Sequence, residues 1–284
     1  MTLMIGETHA RGLIKARFFM LWQEQSWPTL AQVDKDLPVV IPLGACEQHG
    51  PHLPVFVDSI QVSEIARRIE QRLSDQILLV PTLWLGCSHH HKDFAGTLTL
   101  PPSLYIQVIQ EVVRSVLRAG FRRILLLNGH GGNTTPGTVA LSELVAMDDA
   151  ADDAYLALAT WWQIAGEVIR PEMVGVTQPV VAHAGAYETS LIMALRPDLV
   201  DTEKIKARSP VLKDKWFNSD DDAGKRLAVF RRFHRFTADG PMGKPEEASV
   251  DSGNKILEAV TAEITQFLQD YARWPQLPVL SQPK

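Results

Sequence analysis

The chain has 284 residues, of which 45% are hydrophobic and 21% charged, and its formal net charge is −5. Such a chain can bury a large core, and its charge argues against a general nucleic-acid or anionic-membrane binder, which would present a basic surface. With two cysteines, no secretory signal and no apolar run near the ~18 residues of a membrane span, we expect a cytoplasmic protein without a disulfide framework.

Short apolar runs alternate with segments of helical spacing along the chain. This pattern predicts strands at 37–43, 77–83, 123–127 and 155–161, and helices at 59–74, 101–119, 134–147, 187–195 and 251–274. Strands that alternate with helices of this length indicate βαβ units. We therefore predict an α/β fold with a mainly parallel central sheet that is covered on both faces.

The sequence contains no internal repeat and no low-complexity linker, so we predict a single domain over residues 1–284. Residues 206–244 have weaker periodicity and many charges, which favours an excursion or an oligomer arm over a separate domain. The basic stretch 225–235 within it is typical of a solvated helix face or a subunit contact. The proline-rich tail 275–284 is predicted to be extended.

Polar side chains follow each predicted strand at the point where it ends. Glu47 and His49 follow the first strand and His89 to Asp93 the second, whereas the third and fourth are followed by Asn128, His130, Asn133, Trp161 and Trp162. In parallel α/β sheets, functional groups gather at the carboxyl ends of the strands. We therefore expect a functional site at this edge.

The segment 44–58 combines two carboxylates with two imidazoles. Glu47 and His49 are two residues apart, so they project to the same side of an extended stretch, and Asp58 returns just before a helix. Carboxylate and imidazole are the ligands of catalytic Zn, Mn or Fe sites. The competing interpretation is that Glu47 caps a turn and the histidines are hydrogen-bonded loop residues.

Two further segments carry one histidine each. In 127–133, His130 lies in a glycine-rich turn, and the absence of a P-loop lysine disfavours a phosphate-binding interpretation. In 183–190, His183 precedes Glu188, which opens a helix. Judged locally, Glu188 is equally typical of a favourable charge at a helix N-terminus.

Three consecutive histidines occupy positions 89–91. Successive side chains of an extended chain point to opposite sides, so all three cannot face one ion. We therefore predict one functional histidine, with the other two at the surface.

Taken together, these segments resemble the creatininase family of metal-dependent amidohydrolases. The resemblance rests on Glu47-Gln-His49-Gly-Pro-His52-Leu-Pro with Asp58, Gly-x-Ser followed by His91-x-x-Phe94-x-Gly96-Thr97, Asn128-Gly-His130-Gly-Gly-Asn133, and His183-Ala-Gly-x-x-Glu188-Thr-Ser. It covers residues 35–200 well and the C-terminal third weakly. It implies a three-layer αβα sandwich, two divalent metal ions (Zn first, with Mn or Fe as alternatives) and a homohexamer.

The resemblance also implies a ligand set. Glu47, His49, Asp58 and His130 match metal ligands of the family, with Asp58 bridging the two ions. Creatinine-cleaving members supply a further carboxylate from an Asn-Gly-His-x-Glu-Asn loop, where this chain has Gly132. Glu188 then becomes the missing ligand. This assigns Glu47, Asp58 and His130 to one metal, and His49, Asp58 and Glu188 to the other.

Other residues receive expected roles around that centre. His183 is expected to act as the catalytic proton donor, with Glu188 also in the catalytic set. His91 and Trp162 are expected to contact substrate. Asn128 and Asn133 are expected to contact substrate or, with Gln48, to orient the ligands.

These expectations describe a metal-dependent amidohydrolase that cleaves a C–N bond in a small cyclic amide or formamide. Creatinine itself is not favoured, because Ala182 and Pro179 stand where creatinine-cleaving members have a Glu and a lid Trp. Two alternatives stay open. One is hydrolysis of an oxidised cyclitol or a modified peptide at the same site, and the other is non-catalytic binding of a metal or small ligand.

Overall fold

A computed structural model of the chain describes residues 20–219, 229 and 231–281. Its centre is a parallel sheet of four strands in the order β2-β1-β3-β4. The strands are β1 (Val39–Leu43), β2 (Leu78–Leu79), β3 (Arg123–Asn128) and β4 (Tyr155–Thr160). The sequence-based prediction of a parallel α/β sheet is confirmed.

The register brings the carboxyl ends of the strands together. Leu43, the last residue of β1, pairs with Asn128 at the end of β3, which in turn pairs with Thr160 at the end of β4. The loops that leave β1, β3 and β4 therefore start at one edge of the sheet. This common edge is where the predicted site residues lie.

Eight α-helices are assigned within the described residues. They are α1 (Trp27–Gln32), α2 (Val57–Leu73), α3 (Pro102–Arg118), α4 (Gly131–Met147), α5 (Trp161–Ile164), α6 (Pro171–Val174), α7 (Ala186–Leu195) and α8 (Val250–Tyr271). Short 3-10 turns connect several of them, including His89–His91 and Phe233–Arg235.

Helices cover both faces of the sheet, as the three-layer sandwich requires. Alternate strand residues point to opposite faces. Val40 and Leu125 pack with helices α2, α7 and α8, whereas Ile41 and Leu126 pack with α3 and α4. Both faces are buried, which explains why the strands are continuous apolar runs instead of alternating patterns.

Two elements differ from the sequence-based prediction. The strand expected at 77–83 pairs only at Leu78–Leu79, with one further bridge at Leu83, because Pro81 has no N–H to continue the ladder. The helix expected at 134–147 begins earlier, at Gly131. The glycine-rich turn is therefore the first turn of α4.

The excursion 206–244 lies over the carboxyl edge of the sheet where it is described. Met242 donates its backbone N–H to the carbonyl of His183 at 2.7 Å, and the carbonyl of Gly240 accepts from Gln48 Nε2 at 3.3 Å. Part of the basic stretch 225–235, including Lys225 and Arg226, lies outside the described residues. The single-domain and oligomer-arm expectations stay predictions.

Within residues 20–219, 229 and 231–281, the structure contains no helix with the length and apolar character of a bilayer span.

Candidate metal centre

The loop after β1 brings Glu47 and His49 to the same point. Glu47 is anchored by its backbone N–H, which donates to the carbonyl of Val55 at 2.8 Å. The Nδ1 of His49 lies 3.1 Å from the carbonyl oxygen of Glu47. In the neutral ring that a metal requires, this bond places the proton on Nδ1 and leaves the lone pair of Nε2 directed to the interior. Gly50 then turns the chain with a φ of 72°.

Asp58 contacts both His49 and His130. It lies in the first turn of α2, where Phe56 and not Asp58 takes the N-cap position. Its Oδ1 is 3.2 Å from His49 Nε2, and its Oδ2 is 3.2 Å from His130 Nδ1. One carboxylate therefore faces two imidazoles with two different oxygen atoms, which is the geometry of a bridging ligand.

His130 comes from the end of β3 and is held on several sides. Its backbone N–H donates to Asn128 Oδ1 at 3.1 Å, and its Nε2 lies 3.2 Å from both the Cys87 carbonyl and Ser88 Oγ. In the neutral ring, donation to Cys87 places the proton on Nε2 and leaves Nδ1 available as a ligand atom. The Nε2 is also 3.3 Å from Glu47 Oε2.

Glu188 reaches the site from the first turn of α7. Its Oε2 lies 3.6 Å from His49 Nε2 and accepts the backbone N–H of Ala184 at 2.6 Å. Ala184 has a φ of 51°, in the left-handed region that disfavours side chains. The strained turn next to His183 is thus held by the carboxylate that the sequence assigned to the metal.

Gly132 stands at a point where a side chain has no room. A Cβ at this position would collide with the carbonyl oxygen of Cys87 and with His130 Nε2. A carboxylate could not enter from here unless these neighbours shifted. Glu188 instead comes close to His49, with its Oε2 3.6 Å from Nε2. Its role as a metal ligand stays a prediction.

Burial and mutual proximity perturb all five of these ionisable groups. Burial raises the pKa of Glu47 and of Glu188 to about 7. Burial alone would lower the pKa of His49 and of His130, but the nearby carboxylates raise them to about 10 and about 9. Burial would raise the pKa of Asp58, yet the two imidazoles lower it far below its usual range.

The carboxylate and imidazole atoms of this site are arranged to bind a divalent cation and not to hydrogen-bond with one another. Glu47 Oε2, His49 Nε2 and Asp58 Oδ2 are buried and make no hydrogen bond with any described residue. Glu47, His49 and Asp58 offer ligand atoms within 4.8 Å of one another, and so do His49, His183 and Glu188. Imidazole and carboxylate are the donors of catalytic Zn and Mn sites.

Two more histidines border the carboxylate of Glu47. His91 Nε2 lies 3.3 Å and His183 Nδ1 3.4 Å from Glu47 Oε1. The Nε2 of His183 lies 2.7 Å from the backbone carbonyl of Gln48 and 2.9 Å from the Gln48 side-chain Nε2. The shorter contact, to the carbonyl, favours a proton on Nε2 and an unprotonated Nδ1. Burial, reinforced by neighbouring histidines, holds the pKa of both His91 and His183 well below its usual value.

The side chain of Gln48 orients this pair. Its Oε1 accepts the backbone N–H of Gly50 at 2.8 Å, which fixes the amide orientation. Its Nε2 therefore donates to His91 Nδ1 at 2.9 Å and faces the carbonyl of Gly240 at 3.3 Å. His91 must then carry its proton on Nε2 and presents a hydrogen-bond donor to the site, whereas His183 presents an acceptor.

A cavity of about 760 Å³ opens above these groups. His91 and Trp162, both expected to contact substrate, line it. Asn128 and Asn133 do not: both are fully buried. Asn128 Nδ2 donates to the His130 carbonyl at 2.7 Å, and Asn133 bridges Gly44 and Cys87 at 2.9 Å each. Both asparagines thus hydrogen-bond within the loops, and their role in orienting the ligands stays a prediction.

Sequence reasoning missed two residues that line the cavity. His90 was expected at the surface, but its ring stacks on His130 with centroids 5.7 Å apart, and burial lowers its pKa to about 3. The alternation argument assumed an extended chain, whereas His89–His91 form a 3-10 turn. Phe233 lies in the weakly patterned excursion, where no local signal marked it.

The chain is similar to enzymes of three named activities. It is 27% identical to creatinine amidohydrolase of Pseudomonas putida over 83% of this chain and 90% of that protein. It is 29% identical to the mycofactocin precursor peptide peptidase of Mycobacterium tuberculosis, over 88% and 91%. A 3-dehydro-scyllo-inosose hydrolase of Thermotoga maritima is 24% identical over 82% and 76%.

Solved creatininase structures share the fold. One crystal structure of creatinine amidohydrolase superposes with a TM-score of 0.75 at 25% identity, covering 90% of this chain and 99% of that chain. A manganese form has a TM-score of 0.70 at 26% identity, covering 88% and 98%. A Zn-Zn form of a mutant has a TM-score of 0.71 at 26% identity, covering 88% and 97%.

The sequence model of the creatininase family, described as creatinine amidohydrolase, matches residues 23–268. This match spans most of the chain and includes all the residues that meet at the carboxyl edge of the sheet. The chain therefore belongs to the creatininase family of metal-binding hydrolases.

Proposed function

We propose that this protein is an amidohydrolase that uses two divalent metal ions to cleave a C–N bond in a small cyclic amide or formamide. Zn is the first choice of metal, with Mn or Fe as alternatives. Glu47, Asp58 and His130 hold one ion, and His49, Asp58 and Glu188 hold the other. The similar enzymes include a creatinine amidohydrolase, a peptide peptidase and an inosose hydrolase, and creatininases occur in Zn and Mn forms.

The observation that carries the proposal is the double contact of Asp58. Its two oxygens lie 3.2 Å from imidazole nitrogens of His49 and His130, which come from different strand-end loops. His49 Nε2 also has Glu188 Oε2 at 3.6 Å. Glu47 Oε2 lies 3.3 Å from His130 Nε2, the ring nitrogen on the side away from Asp58. Two ligand sets that share one carboxylate are typical of two-metal hydrolases.

When bound, the two ions would lower the pKa of a water and polarise the substrate carbonyl. His183 handles the proton. Burial holds its pKa well below the usual value, so the ring is neutral at physiological pH and its Nδ1 has a lone pair for the proton of the attacking water. It then donates that proton to the nitrogen that leaves. His91 offers its Nε2–H to Glu47 or to a substrate oxygen.

Metal analysis of the purified protein together with the His130→Ala variant tests the proposal. We expect two equivalents of divalent metal in the wild type. The variant should lose metal and its hydrolysis of lactams and formamides together, because His130 supplies a ligand. Full metal content and full turnover in His130→Ala would remove His130 from the ligand set.

The same experiment separates an enzyme from a non-catalytic metal-binding protein. His234→Ala provides the matched control, because this histidine is an exposed residue that pairs with Asp93 at 2.8 Å and has no contact with the metal ligands. We expect it to retain its metal. Tight metal binding without hydrolysis of any lactam, formamide, cyclitol ketone or peptide would favour the binding protein.

A modified peptide is the second candidate substrate. The cavity of about 760 Å³ is large enough for more than a single small ring, and one of the similar enzymes is a peptide peptidase. Cleavage of short peptides with no turnover of lactams or formamides would favour this candidate over the first. An oxidised cyclitol would use the same ligands.

We also propose that the enzyme is a cytoplasmic homohexamer, as the family resemblance implies. Phe56 and Trp84 form an exposed aromatic pair, with ring centroids 6.1 Å apart, next to the metal-binding loop. Exposed apolar patches are typical of subunit contacts. Light scattering after gel filtration measures the mass: six times 31.6 kDa is expected, and a monomeric mass would contradict the proposal.

A further inference from the structure

We infer that the cavity selects amides that carry a large apolar or aromatic group beside the scissile bond, and that Phe233 and Trp162 determine this specificity. This inference rests on the proposed function, because the metal centre must hold the reacting end of the substrate. It adds the chemical class of the part of the substrate that does not react.

The cavity has a polar floor and apolar walls. Its floor consists of the metal-centre carboxylates and histidines. Its walls are formed mainly by Trp162, Ile169, Val180, Val181, Phe217, Phe233, Phe236 and Met242. A substrate that filled only the floor would leave these walls facing water, whereas an apolar group would remove them from water. Burial of apolar surface stabilises a complex by about 25 cal/mol per Å².

Phe233 is fixed directly above the histidines. Its ring centroid lies 4.0 Å from that of His91 and 4.8 Å from that of His183. It is buried in a cluster with Ala182 and Met242, so it is an ordered part of the wall. A group attached next to a carbonyl at the floor would therefore meet an aromatic ring within one or two bonds.

The charged side chains of the wall lie at its outer end. Arg170 and Arg231 line the cavity but are exposed to solvent, and Arg170 is paired with Glu167 at 3.0 Å and Glu172 at 2.9 Å. Between this rim and the polar floor, the lining is mostly apolar, and Thr134, Gln163 and Ser219 are its uncharged polar residues. The middle of the cavity therefore selects by size and hydrophobicity instead of charge.

A matched pair of hydroxamates tests the inference on the metal-loaded enzyme. Acetohydroxamate and phenylacetohydroxamate carry the same metal-chelating head and differ only by the phenyl ring. Calorimetric titration of both gives the ratio of their affinities. We expect phenylacetohydroxamate to bind at least about tenfold more tightly, because the ring is buried against the walls.

Each outcome of this titration has one meaning. Equal affinities, or weaker binding of the phenyl compound, would overturn the inference and leave the metal centre intact. Absence of binding by both compounds to metal-loaded enzyme would contradict the proposed function and, with it, the inference. Tighter binding of the phenyl compound supports both.

Two variants locate the contact. Phe233→Ala and Trp162→Ala should each reduce the affinity ratio at least about threefold, since each removes part of the apolar wall. Trp27→Ala is the control, because Trp27 is 82% exposed and lies on α1 away from the cavity. A ratio that is unchanged in both wall variants would remove these residues from the specificity assignment, and the wild-type ratio remains a test if one variant fails to fold.

Discussion

The floor and the wall of the cavity are built in different ways. The floor residues lie on loops that leave the ends of three sheet elements or on the first turns of α2 and α7. Their backbones are held by hydrogen bonds, whereas several of their side-chain ligand atoms make none. The wall is contributed partly by the excursion 206–244, whose described residues make few regular elements. A rigid sheet edge positions the reactive groups, and an irregular segment decides what surrounds them.

The two regions meet at Gln48. Its side chain contacts His91 on the floor and Gly240 in the excursion. Gly240 has a φ of 112° and approaches Gln48 so closely that a Cβ would collide with its amide oxygen. We therefore expect that changes in the excursion can alter specificity without altering the metal centre, provided that the contact between Gln48 and Gly240 is kept.

The largest effect is expected at the centre of the floor. Asp58→Asn removes the charge that faces both His49 and His130, so metal content should fall from two equivalents to one or fewer, and turnover should fall by about a thousandfold or more. Metal analysis and initial rates measure both quantities. Asp152→Asn, at an exposed position, should match the wild type, and a fully loaded, active Asp58→Asn would refute the bridging role.

A smaller effect is expected for the proton carrier. His183→Ala should keep its metal but slow turnover by about a hundredfold, because general acid–base catalysis contributes on that order. Metal content and kcat, measured on the same sample, separate this role from that of a ligand. Unchanged kcat would exclude His183 from proton transfer, and loss of metal would make it a ligand.

Metal affinity should rise with pH. In the metal-free protein, His49 and His130 have pKa values raised to about 10 and about 9, so both hold protons at neutral pH. A cation must displace these protons, and affinity should therefore increase by about tenfold per pH unit for each proton released. The dependence should be steepest below pH 7, where Glu47 is also protonated, and should level off as pH rises through 9 to 10. Competition titrations at pH 6, 7 and 8 measure it, and a flat profile would contradict the assignment.

A moderate effect on kcat is expected at Gln48, where the floor and the excursion meet. Gln48→Ala removes the amide that sets the tautomer of His91, so kcat should fall by about tenfold while metal content stays at the wild-type level. Because the histidine pair loses its fixed orientation, the pH profile of kcat/KM should shift as well. A purely structural role would lower thermal stability without moving that profile.

The smallest effect is expected for Asp93, which pairs with the two residues on either side of Phe233 in the cavity wall. Asp93 pairs with His234 at 2.8 Å and with Arg232 at 3.3 Å on the protein surface. Exposed pairs contribute less than about 1 kcal/mol, so Asp93→Ala should lower the phenylacetohydroxamate preference by about twofold and leave metal content unaltered. Loss of metal in this variant would show that floor and wall are not independent.

Much of the fold and the floor could be predicted from local patterns. Apolar runs such as Val39–Leu43 and helical spacing depend on burial alone, which is a property of each segment. Glu47, His49 and Asp58 lie within a dozen residues, so their meeting required only one turn and one helix start. The assignment of Glu188 came from the family resemblance, because Gly132 stands where that family has a loop carboxylate, and Glu188 lies 3.6 Å from His49 in the structure.

Other features were decided only by tertiary structure. The inward position of His90 depends on a 3-10 turn, and the wall position of Phe233 depends on a fold-back of more than a hundred residues in sequence. The buried positions of Asn128 and Asn133 likewise follow from hydrogen bonds to residues of other segments. Short-range spacing was therefore enough to predict which residue types and elements meet at the sheet edge. The residues that enclose that edge could not be predicted, because contacts between distant segments depend on packing and leave no periodic signal.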